Sequence, residues 1–304
     1  MSKNRHAVID LGSNTFHLLI VEKDNTDGFF TVHKERIFTG LSEGGVDTIA
    51  PESIQRGLAA LHRFREVIGI SGVNLLTVIG TASLRKANNR QVFISQGEEI
   101  LGTRIRIIDG LTEAEYIFRG VMLLPGMDVG TKLIMDVGGG STECILVCDG
   151  KKVWANSYPI GVGILHALFH KSDPISQREI EAMEMYIESH TADLSDAIRL
   201  YKPELLVGAS GSFEVLETMS GGTISTDVPR VILADTFYSL YTKITRATSA
   251  ERAAMPGIPP DRVKLIVVGM VLKKYVFDLV SPPSILVSPF ALKEGVISEM
   301  MQVR

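Results

Sequence analysis

LIMDVGGGSTECILV, residues 133–147, sets an acid and a glycine triplet between two apolar runs. Both runs read as buried β-strands. The first ends near Asp136; the turn is Gly138, Gly139 and Gly140, followed by Ser141, Thr142 and Glu143. Glycine lets backbone approach a ligand closely. Successive N–H groups of such a turn form a concavity suited to an anion. Taken alone, the same residues also read as a tight hairpin with a capping aspartate.

The pattern occurs twice. AVIDLGSNTFHLLIVE (7–22) aligns with LIMDVGGGSTECILVC (133–148), so Asp10, Gly12, Ser13, Asn14 and Thr15 repeat the strand end and turn. Around each copy the same plan extends: three successive strands, a helix, a strand, a helix. In the first half these are HAVIDLG, FHLLIVEK, FFTVHKERIFT, a helix from about Pro51 to Ile68, NLLTVIG, a mostly helical SLRKANNRQVFISQGEEIL, RIRIID and the helix TEAEYIFRGVMLL. In the second they are KLIMDVGG, TECILVCDG, KKVWANSYPIG, a helical region through 176–201, ELLVGAS and another helix. The tail reads as one helix over about 260–281, the strand SILVSP and a last helix, ALKEGVISEMM. Duplication on this scale predicts an α/β chain of two similar domains. The junction falls where Pro and Gly cluster, near 124–132, giving domains 1–124 and 125–290.

Two turns of this kind would grip a phosphate chain through backbone N–H groups and the side chains of Ser13, Asn14, Ser141 and Thr142. Asp10 and Asp136 would repel it unless a hard cation sits between, and Mg²⁺ needs few carboxylates because it keeps several waters. Composition agrees with a soluble globular chain: 304 residues, 45% hydrophobic, 22% charged, net charge −4. No general basic field attracts nucleic acid, so a polyanion site is a local patch. The longest apolar run, LIVVGMVL (265–272), is too short to span a bilayer, and two cysteines, Cys144 and Cys148, suit a reducing compartment. A cytoplasmic protein is expected.

DLGSNT, DVGGGSTE and the duplicated strand plan resemble the actin/Hsp70/sugar-kinase superfamily, and within it the Ppx/GppA family of exopolyphosphatases and guanosine pentaphosphate phosphohydrolases. TASLRKANN (81–89), IDGLTEAEYIFRGV (108–121), VGASGSFEVL (207–216) and LVSPFALKEGVISEM (286–300) extend the resemblance along nearly the whole chain. It implies two ribonuclease-H-like (actin-like ATPase) domains with a ligand cleft between them. It also implies a last helix, about 291–304, that packs back on the first domain.

The resemblance also assigns roles. Glu113 matches the carboxylate that activates the attacking water, and Arg85 the arginine that faces the phosphate, where a guanidinium holds two oxygens at once. Asp136 and Glu143 match acids associated with Mg²⁺, with Asp10 as their counterpart in the first turn. Ser210 and Gly211 match a small-residue turn that lines the cleft. On the residues alone, Thr112 reads as a helix N-cap with Glu115 completing the capping box, which would make Glu113 an ordinary first-turn acid. His166 and His170 read as ordinary helix residues, and the pairs Lys151/Lys152 and Lys273/Lys274 as solvated charges.

The expected activity is release of terminal phosphate from polyphosphate or guanosine pentaphosphate. The alternatives are a sugar-kinase-like phosphotransferase and a non-catalytic sensor of guanosine tetra- or pentaphosphate. No nucleic-acid or membrane partner is expected, and a homodimer is expected on the resemblance alone.

Overall fold

The computed structural model describes residues 4–24, 28–43, 45, 47–209, 211–221 and 228–301. The chain divides into two compact units, Met1–Gly120 with Leu292–Arg304, and Val121–Ala291.

In the first unit three strands meander, β1 (Arg5–Leu11), β2 (Thr15–Lys23) and β3 (Phe29–Phe38). Then come α1 (Pro51–Ser71), β4 (Leu75–Gly80), α2 (Ala82–Lys86), α3 (Arg90–Leu101), β5 (Ile105–Ile107) and α4 (Gly110–Val121). Sheet order is β3-β2-β1-β4-β5, antiparallel across β3-β2-β1 and parallel across β1-β4-β5. Strand alternation sends Ala7, Ile9 and Leu11 to one face, where they join Leu61 and Phe64 of α1 and Phe93 of α3 in one core. Asp10, between Ile9 and Leu11, therefore belongs to the opposite face. Pro51 opens α1, where its missing N–H costs nothing, and Gly72 ends it in the left-handed region at φ 64°.

The second unit repeats the plan: β6 (Thr131–Val137), β7 (Thr142–Cys148), β8 (Lys151–Tyr158), then α5 (Val162–Phe169), α6 (Gln177–His190), α7 (Ala192–Tyr201) and β9 (Leu205–Ala209). It continues with α8 (Gly211–Met219), β10 (Arg230–Leu233), α9 (Ala234–Arg246), α10 (Ser249–Ala253), α11 (Ile266–Val280) and β11 (Ser284–Val287). Its sheet runs β8-β7-β6-β9-β11 in the order of the first, with β10 added antiparallel at the edge. The chain then returns to the first unit as α12 (Leu292–Met301), which packs on β1 and β2. Gly295 permits this: a Cβ there would lie 1.8 Å from the Tyr116 carbonyl oxygen of α4. Thus α4 and α12 meet backbone to backbone.

Two sequence readings need correction. Residues 228–259 hold β10, α9 and α10, which the periodicity did not announce. β10 is a four-residue edge strand with Val231 and Leu233 exposed, and α9 begins without a side-chain cap. The expected helix over 260–281 is a 3₁₀ turn, Pro260–Arg262, followed by α11 from Ile266. Pro259 and Pro260 lead into that turn, a position proline suits, and residues 263–265 form turns between it and α11.

Candidate active site

In the first unit the predicted residues gather at the carboxyl ends of the three parallel strands, where open α/β sheets bind their ligands. Asp10 lies one residue before the end of β1, Arg85 in the short helix after β4, and Glu113 in the helix after β5. Arg85 and Glu113 are in direct contact: Arg85 Nη1 donates to Glu113 Oε2 at 2.6 Å and to the Ile108 carbonyl at 2.9 Å. Glu113 is buried, at 8% exposure. The cap of α4 is Asp109, not Thr112. Asp109 Oδ1 accepts from the Thr112 N–H at 2.7 Å, and Glu115 is engaged by Arg119 instead of closing a capping box. That amide bond, with further hydrogen bonds from Thr112, holds the Asp109 carboxyl below its usual range. With the cap supplied elsewhere, Glu113 is left to Arg85.

The first turn is built to hold its neighbours. The Asn14 carbonyl accepts from the N–H groups of Thr39 and Gly40, the Ser13 carbonyl from that of Ser42, and Asn14 Oδ1 from the Ser42 hydroxyl. Asn14 thus organises the 39–42 segment with its acceptor groups. Gly12 is required by close approach: a Cβ would stand 2.8 Å from the Thr15 carbonyl. Asp10 Oδ1 and Thr15 Oγ1 are sealed from solvent with no hydrogen-bond partner among the described residues. Burial raises the Asp10 carboxyl to about 6, against the pull of Lys293 and with the push of Glu294, both from the first turn of α12.

In the second unit Asp136 and Glu143 are direct cross-strand partners on β6 and β7, and Glu143 pairs in turn with Ser157 on β8. Such pairs share a sheet face with Cβ atoms about 4.5–5.5 Å apart. Asp136 is buried and Glu143 is 1% exposed, its Oε1 accepting from Ser157 Oγ at 2.7 Å. In the first unit the same register sets His17 opposite Asp10. The glycine turn turns its carbonyls to α5: Gly138 O and Gly139 O accept from the N–H groups of Val162 and Gly163. The Thr142 hydroxyl donates to the Ile160 carbonyl at 2.7 Å, so it braces the turn. The N–H groups of Gly139, Gly140 and Ser141 meet no acceptor among the described residues. Gly161 lies flat on the triplet; a Cβ there would be 2.3 Å from Gly139 C.

Gly211 opens α8 directly after β9, whose Ala209 pairs with Asp136. Ser210 lies outside the described residues. Two cations that sequence reasoning missed stand at this turn. Arg262, from the 3₁₀ turn, places Nη2 2.9 Å from where a Gly211 Cβ would be. Lys273, read above as solvated, is buried in α11 with its ammonium 4.9 Å from the Phe213 ring centroid. Burial lowers its pKa to about 7; Arg262 acts in the same direction and the Asp136 charge opposes both. Lys274, its neighbour, does fit the surface reading and pairs with Asp278 one helical turn on.

A divalent cation fits the second-unit acids by donor type. Two carboxylates on one sheet face beside an amide-lined turn are a ligand set Mg²⁺ accepts, with waters or substrate oxygens completing the shell. Among the described residues no group of three or more His, Cys, Asp or Glu forms a self-sufficient metal cage. No helix among them is long and apolar enough to cross a membrane.

Two α/β units sharing one strand order, each with an acid near the end of its first strand and a tight turn after it, define the actin-like class of folds. Residues 19–304 match the Ppx/GppA phosphatase family, and the chain belongs to that family. It is 28% identical over 301 residues to exopolyphosphatase 1 of Mycobacterium leprae, covering 96% of this chain and 88% of that protein. It is 30% identical over 304 residues to guanosine-5'-triphosphate,3'-diphosphate pyrophosphatase of Vibrio vulnificus, covering 97% of this chain but only 59% of the relative. The crystal structure of an exopolyphosphatase from Cytophaga hutchinsonii superimposes with a TM-score of 0.94 at 33% identity, over 98% of both chains.

Proposed function

We propose that this protein hydrolyses a terminal phosphoanhydride bond, releasing phosphate from inorganic polyphosphate or from guanosine pentaphosphate. The observation that carries the reading is the Arg85–Glu113 pair at the ends of parallel strands: a carboxylate and a phosphate-binding guanidinium held at one point. The names borne by the relatives support the substrate class.

Glu113 takes a proton from water as the water oxygen bonds to the terminal phosphorus. The bridging P–O bond breaks, and the shortened chain leaves with the bridging oxygen. Arg85 has committed both Nη1 hydrogens, leaving Nε and Nη2 to face the phosphoryl oxygens. Gly139, Gly140 and Ser141 bind phosphate through N–H groups, and Arg262 adds charge at the β9–α8 turn. Asp136 and Glu143 would hold Mg²⁺, which supplies charge neutralisation of the phosphate oxygens. Phosphoryl transfer depends mainly on such positioning and charge. A cytoplasmic location belongs to this proposal on the cysteine usage and short apolar runs, and a homodimer on the family resemblance alone.

The test is phosphate release from each substrate, measured colorimetrically with Mg²⁺ and with excess chelator. Release from either with no acceptor supports hydrolysis over a kinase-like transfer. Binding of both without release would leave a sensor.

A further inference from the structure

Asn89 stands at the N-cap of α3, and asparagine is among the side chains that best cap a helix. It makes no capping bond there. Its amide pairs instead with the Ile49 peptide: Nδ2 donates to the Ile49 carbonyl at 2.8 Å, and Oδ1 accepts from the Ile49 N–H at 2.9 Å. Beside it the Asn88 N–H donates to the Asp47 carbonyl at 2.8 Å. Ile49 is buried in the first-unit core, so the pairing ties the loop after α2 to a fixed point. That loop carries Arg85 at its start, and Arg90 Nη1 reaches back to the Arg85 carbonyl at 2.5 Å.

The other end of the same segment lies on the first turn. The N–H groups of Thr39 and Gly40 each donate to the Asn14 carbonyl at 2.9 Å, and the Ser42 hydroxyl to Asn14 Oδ1 at 2.7 Å. From α1, Arg56 Nε donates to the Thr39 carbonyl at 2.9 Å and the Ser53 hydroxyl to the Gly40 carbonyl at 2.8 Å. One asparagine thus belongs to the turn, the other to the arginine loop, and the chain between β3 and α1 is bonded to both.

We propose that this segment is a strap that sets Arg85 relative to the first turn, and that Asn89 is its latch: a positioning residue that acts on phosphate through Arg85. The action on phosphate rests on the role proposed above for Arg85; the strap itself does not. A latch accounts for the uncapped start of α3. The helix forgoes a bond of about 1 kcal/mol, and the amide is spent on the Ile49 peptide.

The experiment uses the full chain as wild type, Asn89→Ser, Arg85→Ala and the double variant. Serine can cap α3 but is too short to pair with both Ile49 groups, so the helix keeps its start while the latch opens. Amide hydrogen exchange is measured first, without ligand. In Asn89→Ser, exchange should quicken at 47–49 and 81–88 and also at Thr39, Gly40 and Ser42, the far end of the strap. Acceleration confined to 47–49 and 81–88 would overturn the strap. Affinity for a methylene-bridged tripolyphosphate, which cannot be hydrolysed, is then measured by calorimetry with Mg²⁺. Asn89→Ser should weaken it on the order of tenfold, because a displaced guanidinium loses its two-oxygen hold. In the Arg85→Ala background the same change should cost less than about twofold. Equal losses in both backgrounds, as a merely structural role would give, would overturn action through Arg85, and so would wild-type affinity in Asn89→Ser. If wild type binds no tripolyphosphate analogue, the phosphate role falls with the proposed function, while hydrogen exchange still decides the strap. Should a variant not fold, Asn89→Asp, which keeps only the acceptor, and Arg85→Gln give the same readings.

Discussion

Arg85 Nη1 and Glu113 Oε2 lie 2.6 Å apart, joining residues 28 positions apart in the chain. Both side chains are largely buried, at 21% and 11% exposure. Each is charged, each follows a parallel strand, and neither is spent on capping a helix. A surface pair of this type would be worth little; a sequestered one holds its members in a fixed geometry.

Glu113→Gln should keep the fold and remove most turnover. Glutamine matches the shape and accepts a hydrogen bond from Arg85, but it cannot take a proton at neutral pH. A loss of about 10²–10⁴-fold in kcat is expected for a missing general base. Leaving Arg85 with a neutral partner should cost stability on the order of 1–3 kcal/mol. Rate and urea midpoint of the one variant separate the roles: near-normal turnover would mean the base is another group.

Phosphate release should require a divalent cation and fall to background in Asp136→Asn. Asp136 and Glu143 face the same side of the sheet beside the turn proposed to bind phosphate, and two carboxylates there repel a phosphate chain unless a cation intervenes. Activity undiminished in excess chelator would refute this.

Gly161→Ala should disable the turn from behind. The new Cβ would meet Gly139 C at 2.3 Å and Gly140 N at 2.4 Å, backbone atoms that cannot rotate away. The turn must shift, and with it the N–H groups proposed to bind phosphate. A drop in kcat/KM of at least about tenfold is expected, with a stability loss of about 1–3 kcal/mol from overpacking. Wild-type kinetics in this variant would show that the triplet does not touch substrate.

The two turns were legible because their signal is local. Asp-x-Gly after an apolar run fixes a strand end, and the repeated spacing fixes a register in which Asp136 meets Glu143 and Asp10 meets His17. Arg85 and Glu113 were legible only through family resemblance; their contact joins two loops that no periodicity links. Lys273 and Arg262 were missed for a related reason. A lysine within an apolar helix shows its burial only once α11 is packed and the ammonium comes to the Phe213 ring, and Arg262 approaches Gly211 from 51 positions along the chain. The N-cap misreading is different in kind. Asp109 and Thr112 both suit a cap, and β5 decides by ending at Ile107, early enough for Asp109 to take the position.

The last prediction concerns pH and lies away from the proposed chemistry. His166 and His170 stack edge to face, 5.1 Å between ring centroids, at the end of α5. Burial lowers the His166 pKa to about 4, with the charges of His170, Lys264, Lys171 and Arg252 adding to the effect. His170 is lowered for the same first reason. An unfolded histidine titrates near 6.5. Between pH 6.5 and 4 the unfolded chain therefore binds a proton that folded His166 refuses, and stability must fall as pH falls through that window. Below about 4 this contribution levels off, because both states are then protonated. Carboxylates add a slope of the same sign, so the test is a difference. Urea midpoints of wild type and His166→Asn, taken at pH 7, 5.5 and 4.5, should converge as pH falls, because the variant lacks the titrating ring. Parallel midpoints at all three values would mean that His166 accepts its proton in the folded protein as readily as in the unfolded one.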